Sequence, residues 1–383
     1  MSHPRRPNHS PGLRAVAAAA GWIIASAAGV SSGQRGGAVI VEPGPPVVRS
    51  NRFVSPAAEA SPLSDDGSTR GPGTRVLVPE DLRKVVELGL VPQRLDDTLR
   101  LETQVRRVAA KAAKCAVSVQ IGPAQGCGVI VSPGGYVLTA AHVAMRPDKP
   151  ATITMSDGRS FSGRTLGLNR SVDAGLIRID GGQIAGDWPY ATPGHDVPLI
   201  AGMWCLAVGH PGGFDPVRGP VTRLGRILHS EPSSIVTDCA LIGGDSGGPL
   251  FDLAGRLVAI HSRIGNDVGE NLHVPLDNFR RSWDRMVQRE SWGVLPGFRP
   301  VLGVRGQTIG GRAVVKQINP GSPAETAGVR IGDVVEVFGD HTIGGFEDLR
   351  DAVRDTMPGE RVYLLVRRED RVLRLPVEIG RGD

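Results

Sequence analysis

The chain has 383 residues, enough for two or three domains, and a hydrophobic content of 40% supports ordinary globular cores. Its formal charge of +5 arises from scattered arginines, with no basic stripe interleaved with aromatics, so the charge reads as a solvated surface and nucleic acid is not indicated as a partner.

Residues 1–30 carry Arg5, Arg6 and Arg14, then the uncharged stretch Ala15–Val30 with a small-x-small site at Ala25-Ser26-Ala27. This pattern predicts an export signal, with an uncleaved membrane anchor as the alternative. The stretch is short and Ala-rich for a ~20-residue span, which favours cleavage. Either way the remainder is expected outside the cytoplasm. Residues 31–78 are rich in Gly, Pro and Ser and are predicted to form a flexible linker. Residues 79–113 read as a helical lead-in: Asp97-Thr98 signals a helix start, and Leu101, Val105, Val108, Ala109 and Ala112 follow at helical spacing.

Three segments within residues 114–290 carry chemistry. The apolar run Tyr136-Val137-Leu138 predicts a strand, and His142 falls just beyond it. A histidine there can take a proton from a hydroxyl because its pKa lies near neutrality. For a lone histidine, a core or surface role would be the better reading. Asp173 opens the apolar alternation Ala174–Ile179, at a strand entrance. A buried carboxylate there would fix the histidine tautomer, whereas a turn-forming aspartate is the common alternative. Residues 241–250, Leu-Ile-Gly-Gly-Asp-Ser-Gly-Gly-Pro-Leu, press Ser246 between glycines. Gly247 and Gly248 leave room for a substrate backbone, and the amides of Gly244 and Ser246 can face one point where an oxyanion forms. The order His, Asp, Ser, with gaps of 31 and 73 residues, accommodates two successive β-barrels with the site in the crevice between them.

Among the other histidines, His210, His229, His261, His273 and His341 lack zinc-ligand spacing, so no metal or cofactor is called for. The four cysteines, at 115, 127, 205 and 239, allow three disulfide pairings and also suit buried thiols, the reading favoured here. After the helix-like stretch Asp277–Gln288, Pro296, Gly297 and Pro300 mark a break, and residues 300–380 read as a second domain. Within it Val314–Ile318 reads as a strand. Phe346, Leu349 and Val353 share one helix face.

These blocks, together with Gly126–Val131, Leu206–Pro211 and Val236–Ala240, resemble the HtrA (Deg) family of serine proteases over about residues 100–380. The run Gly321-Ser322-Pro323-Ala324, continuing through Ala327-Gly328-Val329 to Gly332-Asp333-Val334, is similar to the PDZ domains of that family. The resemblance implies a mostly β protein: a chymotrypsin-like double β-barrel (114–290) plus a C-terminal α+β PDZ-like domain (300–380). It implies a serine endopeptidase acting on unfolded or damaged exported proteins, with His142, Asp173 and Ser246 as the triad. A latent protease fold serving as a PDZ-containing chaperone or binding scaffold is the alternative. The family's pocket floor falls on Ala240, with Ile242 and Ile264 as walls, which suits small or medium aliphatic side chains. Ser262 and Arg263 line the same cleft, and Arg263 could draw an acidic residue at a neighbouring subsite. In the C-terminal module the amides of Leu302, Gly303 and Val304 would catch the carboxylate of a peptide C-terminus lying as an added strand, walled by Leu349 and Val353. The family commonly forms homotrimers through residues ahead of the barrel, often aromatic ones; here Phe53 is the single aromatic between residues 31 and 113. Asp245 departs from the usual asparagine of the family and needs a partner that the sequence does not identify.

Overall fold

In the computed structural model, which describes residues 61–63, 73–122, 124–181, 188–194, 198–265, 269–295, 297 and 299–382, two closed barrels are followed by a smaller sheet. The predicted signal or anchor (1–30) and Phe53 lie outside the described residues, as does much of the predicted linker. No helix among the described residues is long and apolar enough to cross a membrane.

The described end of the linker region is not loose. Leu63 is buried, Thr74 Oγ1 donates to the Gly255 carbonyl (2.6 Å), and Val76 N donates to Ala254 O (2.9 Å). These contacts recover hydrogen bonds and apolar burial that the Gly/Pro-rich composition alone does not reveal. Two short helical turns, Glu80–Leu82 and Arg83–Leu88, lead to helix α1, Leu95–Cys115. It starts two residues before the predicted Asp97, with Asp96 and Asp97 in the first turn, where carboxylates favour the helix dipole. It buries Leu101, Gln104, Val108, Ala112 and Cys115, at steps of three and four. Gln104 is accommodated because its Nε2 donates to Leu253 O (2.7 Å).

Helix α1 runs directly into strand β1 (Ala116–Ile121), followed by β2 (Ala124–Ile130), β3 (Tyr136–Ala140), β4 (Pro150–Thr154), β5 (Ser160–Asn169) and β6 (Ala174–Ile179). They pair in the order β5-β4-β1-β2-β3-β6, and β6 returns to β5, which closes the first barrel. Strand β3 is buried along its whole length, since one face points into the barrel and the other is covered. Tyr136 there meets Trp283 edge-on, with ring centroids 5.0 Å apart.

The second barrel comprises β7 (Trp204–Gly209), β8 (Val221–Ser230), β9 (Ile235–Thr237), β10 (Pro249–Asp252), β11 (Arg256–Ile264) and β12 (Asn271–Pro275). Its order is β10-β7-β8-β9-β12-β11, closed by β10 against β11. Closure leaves no free edge along either ring. Helix α2 spans Leu276–Val287, one residue ahead of the predicted stretch, and packs Phe279, Trp283 and Met286 into a core shared with Leu138, Leu176 and Phe251. All four cysteines are free and buried, and the Cys205 and Cys239 sulfurs lie 3.7 Å apart.

The C-terminal sheet holds β13 (Val304–Ile309), β14 (Arg312–Ile318), β15 (Val334–Phe338), β16 (Arg361–Arg368) and β17 (Arg371–Glu378) in sequential order, with helix α3 (Phe346–Arg354) packed on it. Strand β13 is at the edge. This module docks against the first barrel through two arginines. Arg146 pairs with Glu360, and Arg170, whose side chain is 4% exposed, donates to the Asp355 carbonyl (2.7 Å) and pairs with its carboxylate (3.1 Å).

Candidate active site

His142 sits on the single helical turn Ala141–Ala144 that follows β3, and Asp173 directly precedes β6. The two strands are ladder neighbours, with Ala140 opposite Ala174, so pairing alone draws the two residues together. Asp173 adopts a left-handed backbone (φ 60), tolerable for aspartate, and its carbonyl accepts from Ala141 N (3.1 Å). The carboxylate receives the His142 amide (3.1 Å), faces His142 Nδ1 at 3.0 and 3.1 Å, and takes the Ser262 hydroxyl at 2.5 Å. With a carboxylate on Nδ1, the neutral ring carries its proton there and leaves Nε2 as an acceptor. Burial opposes the imidazolium, but the charge and hydrogen bond of Asp173 outweigh it and raise the His142 pKa above its ordinary value. Burial likewise works against the ionised Asp173, yet His142 and the Ser262 hydroxyl lower its pKa below the usual carboxylate value.

The loop bearing Ser246 is held by its carbonyls. Gly243 O accepts from Gly212 N (2.7 Å), Gly244 O from the Cys127 thiol (3.0 Å), Asp245 O from Gly248 N (2.9 Å), and Ser246 O from Cys127 N (2.7 Å). A peptide plane whose carbonyl is fixed on one side aims its N–H at the other. Among the described residues the Gly244 and Ser246 amides have no acceptor. Gly244 (φ 98) and Gly247 (φ 87) need the conformational freedom of glycine. A Cβ on Gly247 would lie 2.2 Å from Cys127 O and 2.3 Å from Thr139 Oγ1. The Ser246 hydroxyl donates to the Ser262 carbonyl (3.2 Å). Ser262 therefore touches Asp173 with its side chain and Ser246 with its backbone.

Around this centre Ala240, Arg263, Ile242 and Ile264 are exposed, the two isoleucines by about half (53% and 46%). Ser262 is buried, and its hydroxyl is committed to Asp173, so it offers the cleft no free side chain. In the C-terminal module Leu302 O and Gly303 O are taken by Ala324 N and Asn319 N (both 2.9 Å), and among the described residues the Leu302 and Gly303 amides have no acceptor. Val304 opens β13 opposite Ile318. Leu349, expected as a groove wall, is 1% exposed and belongs to the domain core, because α3 turns that face onto the sheet; Val353 is half-buried.

Sequence reasoning missed the roles of three residues, one of which, Ser262, it placed only as a lining residue of the cleft. Ser262 carries no local signal of its bond to Asp173. Cys127, in the run Gly-Cys-Gly, supports the nucleophile loop through both its amide and its thiol. Arg223 on β8 is the partner of Asp245, with the guanidinium at 3.1 Å.

Residues 126–260 match the trypsin-like peptidase domain family, and residues 300–379 match the PDZ domain family. A probable periplasmic serine endoprotease DegP-like protein of Hahella chejuensis is 32% identical over 275 residues, covering 67% of this chain and 56% of the relative. A protein of the same description from Chlamydia trachomatis is 31% identical over 277 residues, covering 67% and 54%. The chain thus spans little more than half the length of these curated relatives. Among solved structures, the serine endoprotease from Yersinia pestis aligns with 77% of this chain and 100% of its own, at 23% identity and a TM-score of 0.43. This chain joins one trypsin-like peptidase domain to one PDZ domain, the domain pairing of the HtrA (Deg)-type serine proteases.

Proposed function

We propose that the chain is a serine endopeptidase working through an acyl-enzyme. The observation that carries this reading is the linked set His142, Asp173, Ser262 and Ser246 beside two amides that have no acceptor among the described residues. Ser246 Oγ leaves the Ser262 carbonyl and attacks the peptide carbonyl while His142 Nε2 takes its proton. Asp173 holds the tautomer and stabilises the imidazolium. The Gly244 and Ser246 amides receive the oxyanion, and the proton on His142 passes to the leaving amine. Water then repeats the sequence on the ester. The exposed Ala240, Ile242 and Ile264 suit a small or medium aliphatic side chain before the scissile bond, and strong cleavage after Lys or Arg would overturn that preference.

A fluorophosphonate probe tests the activity. The chain should be labelled, and Ser246→Ala should not. No labelling of either, in folded protein, would favour the latent chaperone or scaffold.

A periplasmic or secreted setting follows the names of the relatives and the Arg-led apolar start of the sequence, whereas unfolded or damaged exported proteins as substrates rest on the family resemblance alone. Assembly into a homotrimer through the lead-in is supported by the exposed apolar run Leu88, Leu90, Val91, Leu95 and Leu99. In the PDZ domain the edge strand β13 and the Leu302 and Gly303 amides, which have no acceptor among the described residues, suit a peptide added as a strand, its C-terminal carboxylate on those amides and its side chain against Val353. Fluorescence anisotropy of a labelled peptide with a free C-terminus should saturate with the full chain. Equal binding by the C-terminally amidated peptide would overturn the carboxylate site.

A further inference from the structure

Asp245 lies between the two residues whose amides face the proposed oxyanion, and its carboxylate is fully buried. One oxygen, Oδ2, accepts from Ile242 N (3.0 Å) and meets Arg223 Nη1 at 3.1 Å. The other, Oδ1, lies against Gly209, where a Cβ would come within 2.3 Å of it. Arg218 adds positive charge nearby, but its guanidinium is engaged with the carbonyls of Pro211 (2.7 Å) and Gly213 (3.1 Å). Burial pushes the Asp245 pKa up, and its Ile242 hydrogen bond and Arg223 act against that rise. A carboxylate in such a place persists as an anion only with a partner; otherwise it protonates or moves toward water.

Moving it cannot be a local event. Its own amide is tied to Ile242 O (3.1 Å) and its side chain to Ile242 N, so the carboxylate and the 242–246 backbone form one closed unit. The Gly243–Gly244 peptide, whose carbonyl accepts from Gly212 N (2.7 Å), lies inside that unit, between the two residues that the carboxylate ties together. Arg223 arrives from β8 with its backbone paired opposite Ala207 of β7. The cation is therefore part of the barrel wall and is in place once the barrel closes.

We infer that Arg223 is a positioning residue: through Asp245 it keeps the oxyanion loop in working shape in the resting chain. This inference rests on the endopeptidase reading above.

The test uses the full chain, with fluorophosphonate labelling rate and peptide kcat and KM as readouts. Arg223→Met should lower the labelling rate and kcat by about 100-fold or more with KM little changed, the scale seen when an oxyanion donor is lost. If the guanidinium acts by balancing the Asp245 charge, two repairs should each recover about tenfold or more. One is methylguanidinium added to Arg223→Ala; the other is Asp245→Asn placed on Arg223→Met. A residue needed only for folding would be rescued by neither under conditions where circular dichroism shows the variant folded. Should Arg223→Met fail to fold, the two repaired variants carry the test. Labelling of Arg223→Met within about threefold of the parent, or failure of both repairs, overturns the inference. An unlabelled parent chain instead overturns the endopeptidase reading, so the two failures are distinct.

Discussion

Asp173→Asn should leave the chain folded and able to bind peptide while kcat falls by about 10⁴-fold, the scale seen when a triad carboxylate is neutralised. The amide keeps the shape of the carboxylate but presents an N–H where His142 Nδ1 now meets oxygen at 3.0 and 3.1 Å, which favours the wrong tautomer. It also strips the negative charge that raises the His142 pKa against the effect of burial. Catalysis needs neutral His142, so parent activity should be lost as pH falls through that raised pKa. In the variant burial is left unopposed, and the midpoint should move to lower pH. The stability linkage has the opposite sense for the two partners. The stabilisation tied to His142 is present below its unfolded pKa and fades as pH rises through the folded one. That tied to Asp173 is present above its unfolded pKa and fades as pH falls through the lowered folded one. A pH profile of kcat/KM for both proteins checks this. A variant within about tenfold of the parent, with an unmoved midpoint, would remove Asp173 from the proposed triad.

The second large effect is expected at Gly244. In Gly244→Ala the new Cβ meets Gly212 N at 2.6 Å, His210 O at 2.7 Å and Gly213 N at 2.9 Å, all backbone atoms, at a φ of 98. Residual strain of this kind amounts to about 1–3 kcal/mol. Relief requires the loop to turn, which withdraws one oxyanion donor and raises the barrier by about 2.7–4 kcal/mol, or roughly 10²–10³ in kcat. Gly243→Ala is the matched control. A Cβ there meets nothing within 4 Å and the backbone is not left-handed, so stability and turnover should stay close to the parent. Thermal unfolding and kcat measured on both variants check the pair; equal behaviour at 243 and 244 would mean that the loop geometry does not set the rate.

Local pattern carried much of this protein into view. The glycines around residue 246 announce unusual backbone angles, because few other residues adopt them, and Gly244 and Gly247 do have positive φ. The apolar run ending before His142 and the alternation after Asp173 are strand signals that depend only on neighbouring residues, and β3 and β6 lie where they indicate. The PDZ run, with its closely spaced turns, is equally local. Helix ends were less legible, since α1 starts at Leu95 without a side-chain cap and continues to Cys115 with no breaker before β1.

What the linear pattern left open concerns groups meeting across the fold. Ser262 reaches Asp173 from a strand of the other barrel, and Arg223 finds Asp245 only because β8 closes beside the loop. Helical periodicity puts Leu349 on one face with Phe346 and Val353 and the PDZ resemblance makes that face a groove wall, yet burial depends on which way α3 is turned against its sheet. Arg170 and Arg146 likewise acquire their acidic partners only when the PDZ domain is docked. Residue type and short spacing thus determined which chemistry was available, because backbone preference acts over a few residues. Which charge was neutralised, which hydroxyl was engaged and which apolar face was covered were decided by tertiary structure alone, since those energies depend on partners brought into contact by folding.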